Sequence, residues 1–135
     1  MDIHESLHQI LAHKENLADR FYQVFFERYP EVRPHFDGIN IRHQAEVLRM
    51  ALMIMECHYT HAYPATEGYL KYLGSKHHDR GVGLELYPKF RDALLVTLEQ
   101  FHGTEWNEGL AGQWHEAYDR ATRAMAEGYQ HHFSV

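Results

Sequence analysis

Apolar residues recur every three or four positions along almost the whole chain, and no stretch alternates apolar and polar residues long enough to make a half-buried strand. That pattern confines the fold to the all-α class. Ile3, Leu7, Ile10 and Leu11 form a first stripe. From Leu17 to Tyr29 a second helix carries Phe21, Phe25 and Tyr29 on one side and Tyr22 and Phe26 on the adjoining one. Pro30 ends it, because the residue before a proline is pushed out of the helical region, and Pro34 leaves room only for a short turn. The segment 30–36 therefore reads as a corner that delivers Phe36 to a fixed place, closed by Asp37-Gly38.

Asn40 is a cap-type residue opening a third helix whose inward stripe is Ile41, Gln44 or Ala45, Leu48, Leu52 and Met55. The segment 58–68, HYTHAYPATEG, contains the breakers Pro64 and Gly68 and reads as a mobile connection with His58 and His61 in solvent. A short fourth helix then places Leu70, Leu73 and His77 on one face and stops at Gly81 and Gly83. Tyr87, Phe90, Leu94, Leu98 and Phe101 predict a long helix ending at Gly103. A last helix, from near Thr104, turns Leu110, Trp114, Tyr118, Ala121 and Met125 inward, with Ala117, Ala124 and Gly128 small enough to admit a close crossing.

A chain of 135 residues fits one domain, 1–135, able to bury a real core. Its formal charge is −6 and its 13 Lys and Arg residues are scattered, which removes the basic footprint of a nucleic-acid binder. No apolar run approaches the roughly 20 residues that span a bilayer, and the start MDIHESLHQ lacks the apolar stretch of a signal peptide, so a cytoplasmic protein without a membrane partner is expected. The lone Cys57 excludes an intrachain disulfide and a thiolate zinc cluster. Thirteen histidines are the unusual feature of the composition. His4 and His8 stand one helical turn apart and could chelate a metal, but with no carboxylate or third histidine evident beside them a solvated face is the simpler reading.

The chemistry concentrates in 21–36 and 73–88, which together supply an aromatic pocket, a phenol and an imidazole on a helix. Those are the parts needed to hold a haem iron and one gas ligand. His77 is the candidate ligand; spacing alone leaves open a histidine that merely favours the negative end of its helix.

The motifs resemble a known family. Phe21-Tyr22, Phe26, Pro30-Glu31-Val32-Arg33-Pro34, Phe36, Leu73-Gly74, His77, Gly81-Val82, Tyr87-Pro88, Leu94-Leu95, Trp114 and Tyr118 together resemble bacterial single-domain haemoglobins related to the globin part of flavohaemoglobins. The resemblance covers nearly the whole chain and implies a globin fold, a helical sandwich around haem b. It implies His77 as the iron ligand, with His78 a minor alternative, and Phe36, Leu48, Leu73, Val82 and Tyr87 around the cofactor. Tyr22 and Gln44 correspond to donors facing the gas ligand; His43, about 100° round the same helix from Gln44, takes that place or ligates iron if the register slips. Tyr87 corresponds to a tyrosine beneath the histidine that in flavohaemoglobins is joined by a glutamate from the last helix. Here the matching interval from Tyr118 reaches Tyr129, and the nearest carboxylate, Glu127, falls on another face. Weaker electron donation from His77 is expected, which counts against peroxidase-like or strong dioxygenase chemistry.

The implied function is reversible binding of oxygen, nitric oxide or carbon monoxide at a five-coordinate ferrous iron, for storage, delivery or sensing, by a monomer or weak homodimer. Two alternatives stand beside it: a nitric oxide dioxygenase served by a separate reductase, and a haem-free helical sensor or interaction module. The glycines of Gly81-Val82-Gly83 follow no strand and make no dinucleotide fingerprint, so any reductase would be a separate partner.

Overall fold

The computed structural model describes residues 1–13 and 17–130; the side chain at position 41, where the sequence pattern puts an inward Ile41, lies outside the described residues. The described residues form six α-helices and two short 3-10 segments, with no strand among them: α1 (Ile3–Ala12), α2 (Leu17–Arg28), a corner (Pro30–Phe36), α3 (Ile41–His61), α4 (Pro64–Asp79), α5 (Leu86–His102), a single turn (Gly103–Glu105) and α6 (Glu108–Gly128). None of these helices is long and apolar enough to cross a membrane. Asp2, Asn40 and Asn107 cap α1, α3 and α6, each side-chain oxygen accepting from a first-turn amide.

Helix α6 is the spine. It lies across α4 and α3 and touches α5, while α2 packs along α5 and α1 lies against α3 and α6. The centre of the core is Phe21, Leu52, Leu94, Leu98, Leu110 and Trp114, all shut off from solvent, and burying a side chain of this size contributes about 1.5–3 kcal/mol. The small-residue reading of α6 holds: Ala117, Ala124 and Gly128 are buried. A Cβ built on Gly128 would collide with the Lys71 carbonyl of α4, and one built on Gly74 would collide with the Met125 carbonyl of α6. The two backbones are in contact at both points, so neither glycine can carry a side chain.

Three sequence expectations are corrected. The segment 58–68 is not a loose connection: α3 runs to His61 and α4 begins at Pro64, with only Ala62 and Tyr63 between them. Pro64 starts a helix because its missing N–H falls in the first turn, where amides have no helical partner, and Gly68 is absorbed inside α4 at a cost of about 1 kcal/mol relative to alanine. The reversal is made by Ala62, at φ +50°. His58 is buried rather than solvated, whereas His61 is exposed and stacks on Tyr63. The last helix starts at Glu108, not near Thr104, because Asn107 provides the cap and 103–105 form a separate turn.

A polar contact is sealed into the core where α1, α5 and α6 meet. Trp114 Nε1 donates to Ser6 Oγ at 3.0 Å, and Ser6 Oγ lies 2.6 Å from His102 Nε2. The other ring nitrogen of His102 is buried with no hydrogen-bond partner among the described residues. Burial holds the His102 pKa below the usual histidine value, against a smaller upward pull from Glu105.

Two outcomes follow. Gly74→Ala or Gly128→Ala should lower stability in urea unfolding by about 1–3 kcal/mol, the usual cost of overpacking, whereas Gly68→Ala, whose Cβ meets nothing within 4 Å, should raise it by roughly 0.5–1 kcal/mol. As pH falls below about 6.5, the unfolded chain takes up the His102 proton before the folded protein does. The stabilisation is complete above that value and is lost as pH drops toward the depressed folded pKa. Unfolding free energies measured between pH 8 and 5 should therefore fall more steeply in the native protein than in His102→Gln.

Candidate functional site

The site residues gather into two sets, one at the end of α4 with the start of α5, the other on α2, the corner and α3. The first is built on the end of α4. Its helix-terminal carbonyls are satisfied by a tight reversal: Gly81 at φ +79° turns the chain, and the Val82 amide donates back to the His77 carbonyl at 3.0 Å. This locks His77, Val82 and the start of α5 together. His77 is half-buried, and its Nδ1 lies 2.8 Å from the Leu73 carbonyl one turn back. A carbonyl only accepts, so Nδ1 is the donor, and in the neutral ring Nε2 is the nitrogen with the lone pair. A metal-ligating histidine needs that tautomer.

Tyr87 stands edge-on to the His77 ring, centroids 6.4 Å apart and planes at 88°. Its hydroxyl is 2.9 Å from that of Tyr129, which is also 2.7 Å from the Val82 carbonyl. Tyr129 has one proton and the carbonyl can only accept, so Tyr129 donates to Val82 and Tyr87 donates to Tyr129. Tyr118 donates to the Tyr87 carbonyl at 2.7 Å. Burial raises the pKa of all three phenols, so they stay protonated donors at ordinary pH. The last helix thus does reach the Tyr87 layer, through a phenol in place of a carboxylate. Glu127 is turned away, pairing with Lys71 at 3.3 Å on the surface.

The second set is built on α2, the corner and α3. Phe36 packs against Tyr22 and Phe26, each with centroids 5.4 Å away. Arg33 lies 5.1 Å above the Phe26 ring, and Lys89 of α5 bonds Glu31 at 2.9 Å, tying the corner to α5. Tyr22 is buried, which pushes its pKa up to about 12. None of the hydrogen bonds among the described residues involves its hydroxyl, although a buried tyrosine normally finds a partner. On α3, Leu48 is buried, Gln44 half-buried and His43 exposed. A run of rings joins the two sets: Tyr22 to Phe21 at 4.9 Å, Phe21 to Phe90 at 4.5 Å, and Phe90 stacked on Tyr118 at 5.8 Å.

Residues 19–125 match the family model described as Globin. The chain belongs to the globin family. The all-α architecture is accordingly a globin fold, and the family's general property is gas binding through haem. Among curated proteins, the chain is 43% identical over 65 residues to an anaerobic nitrite reductase of Gossypium hirsutum, covering 47% of this chain and 41% of that protein. It is 38% identical over 55 residues to "Leghemoglobin-1" of Lupinus luteus, covering 41% of this chain and 36% of that one. A protein of Solanum lycopersicum, likewise named as an anaerobic nitrite reductase, is 36% identical over 56 residues, covering 42% of this chain and 36% of its own length. The matches thus span well under half of these relatives, all of them from plants, and none supports the expected likeness to bacterial haemoglobins in particular.

Two features of the site escape the sequence reading. The interval from Tyr118 leads to Tyr129, but nothing in the pattern credits its phenol with the carboxylate's position. Glu85 is not signalled as a site residue at all: its carboxylate folds back over Gly83, where any Cβ would strike it, and its charge helps raise the Tyr129 pKa. The absence of a side chain at Gly83 is the available signal. Tyr129→Phe, which leaves the Val82 carbonyl and the Tyr87 hydroxyl without their partner, should cost about 1–3 kcal/mol in denaturant unfolding. Glu127→Gln, which breaks only a surface pair, should change stability by less than about 0.5 kcal/mol.

Proposed function

We propose that the chain is a single globin unit, 1–135, that holds haem b through His77 and binds oxygen, nitric oxide or carbon monoxide reversibly, for oxygen storage, delivery or sensing in the cytoplasm. When bound, the group supplies a ferrous iron with one position open to a diatomic gas. The observation that carries the reading is the His77 imidazole, whose Nδ1 is committed to the Leu73 carbonyl so that Nε2 is left as a ligand. The donor set fits the cofactor: one imidazole oriented by a backbone carbonyl, a ring cluster that would stack on a flat macrocycle, and a buried phenol with no hydrogen-bond partner among the described residues.

Each residue then has a defined task. The Leu73 carbonyl fixes the tautomer and plane of His77, and Tyr87 limits rotation of that ring from the side. Phe36, Leu48 and Val82 exclude water from the macrocycle. Tyr22 keeps its proton throughout the working pH range, since its pKa is pushed up to about 12, and can donate to a polar diatomic ligand. Gln44 offers an amide from α3; its partial burial supports it over the exposed His43 as the second donor. A neutral hydrogen bond contributes about 0.5–1.5 kcal/mol net, so each donor is expected to slow gas release by up to roughly tenfold.

A second reading draws on the printed name of the cotton relative, with which 65 residues share 43% identity. Reduction of nitrite to nitric oxide and water consumes one electron and two protons, so it would require an external reductant, as nitric oxide dioxygenation would require a reductase. Reductant-dependent release of nitric oxide from nitrite would move the assignment from gas carriage to this activity.

The main reading predicts that His77→Ala purifies without the Soret band of bound haem. Tyr22→Phe and Gln44→Leu should retain the band and release oxygen up to about tenfold faster by stopped-flow. Unchanged release in both variants would remove the two donors from the account.

A further inference from the structure

Helix α1 buries Ile3, Leu7, Ile10 and one polar residue, Ser6. The Ser6 Oγ accepts from Trp114 Nε1 of α6 at 3.0 Å and lies 2.6 Å from Nε2 of His102, the last residue of α5. All three side chains are buried, and Nδ1 of His102 is enclosed without a hydrogen-bond partner among the described residues. We propose that this junction is an acid-sensitive latch: uptake of a proton by His102 releases α1 from α5 and α6 while the remaining helices stay folded.

A neutral imidazole needs one donor or one acceptor at Nε2, and the Ser6 hydroxyl serves either need while its oxygen takes the indole N–H on a free lone pair. A protonated ring donates from both nitrogens. Nε2 keeps Ser6, but Nδ1–H then meets no acceptor, and the added charge is enclosed by Trp106, stacked on the ring at 6.1 Å, and Phe101, edge-on at 4.9 Å. A buried cation with one neutral partner is costly. Moving α1 away from the junction lets water reach the ring. α1 is the element that yields, since it stands outside residues 19–125, the part that matches the globin family model. Among the described residues Glu105 is the charged group acting on the ring; it favours the proton, and burial outweighs it. α1 and α6 face the ring with the uncharged Ser6 and Trp114. His13, at the end of α1, lies edge-on to Phe101 at 5.2 Å and adds a like charge when protonated. On the α3 side the 3.2 Å contact of His4 with Glu56 becomes an ion pair in acid and opposes release, but the imidazole is 63% exposed and solvent screens the pair.

The test is hydrogen–deuterium exchange of the full chain, each amide's rate divided by its intrinsic rate at that pH. Between about pH 7.5 and 5, opening of α1 should increase by up to roughly thirtyfold, the factor by which a freed histidine of ordinary pKa near 6.5 takes up a proton that the buried ring refuses. The amides of α1 should exchange well before those of α6 around Trp114 at every pH, because a latch opens without the rest of the bundle. His102→Gln, which carries no titrating proton, should remove most of the pH dependence of α1, with helical circular dichroism reporting that it folds. Ser6→Ala provides a second reading: it keeps the titrating ring and removes its partner, so α1 should open more readily already at neutral pH. Opening of α1 that does not change in acid, an equal change in His102→Gln, α1 amides as slow as those of α6, or unchanged protection of α1 in Ser6→Ala would overturn the latch. None of these measurements depends on haem or on His77.

Discussion

The backbone contact between α4 and α6 at Gly74 and Gly128 positions most of what matters in this protein. At those points one helix presents a glycine to a carbonyl of the other, Gly74 to Met125 and Gly128 to Lys71, and the reciprocity fixes both separation and register. His77 lies within a turn of Gly74, and Tyr129 immediately follows Gly128. The crossing therefore brings the end of α6 under the end of α4, where Tyr129 can hold the Val82 carbonyl and accept from Tyr87. Widening it by one methyl group would shift the imidazole and its supporting phenols relative to each other, and hydrogen bonds of 2.7–2.9 Å tolerate little displacement.

The hydrogen-bonded chain on the His77 side differs in kind from the packing on the Tyr22 side. Around His77 the contacts are directional: His77 Nδ1 to the Leu73 carbonyl, Val82 amide to the His77 carbonyl, Tyr129 hydroxyl to the Val82 carbonyl. Around Tyr22 they are ring against ring, with Phe21, Phe26 and Phe36 holding the phenol by shape alone. The proposed roles fit that difference: an iron-binding imidazole would need one tautomer and one plane, which hydrogen bonds supply, and a phenol facing a small ligand would need its hydroxyl uncommitted, which apolar packing allows.

Much of this is legible locally. Pro30 and Pro34 define a corner by φ restriction and lost amides, and the spacing of Leu70, Leu73 and His77 places one face on one helix. What misleads is punctuation taken without context. Pro64 and Gly68 break helices in an extended reading, yet proline is well suited to a first turn and one glycine is outweighed by the packing of α4 on α6. His58 resembles a surface residue in its polar setting and becomes buried only because α3 continues past it.

The sequence by itself determined the helical class, the corner at 30–36 and the shared helix face of Leu70, Leu73 and His77, because each rests on periodicity or on dihedral limits acting within a few residues. Tertiary structure alone decided that the Tyr129 hydroxyl bonds Tyr87 and the Val82 carbonyl, that Glu85 folds over Gly83, that Ser6 and Trp114 meet His102, and that Glu56 reaches His4. Those pairings join residues brought together by helix crossings or by a turn in the backbone, and the distance between two side chains across a crossing depends on how closely the backbones approach. No local pattern encodes that distance.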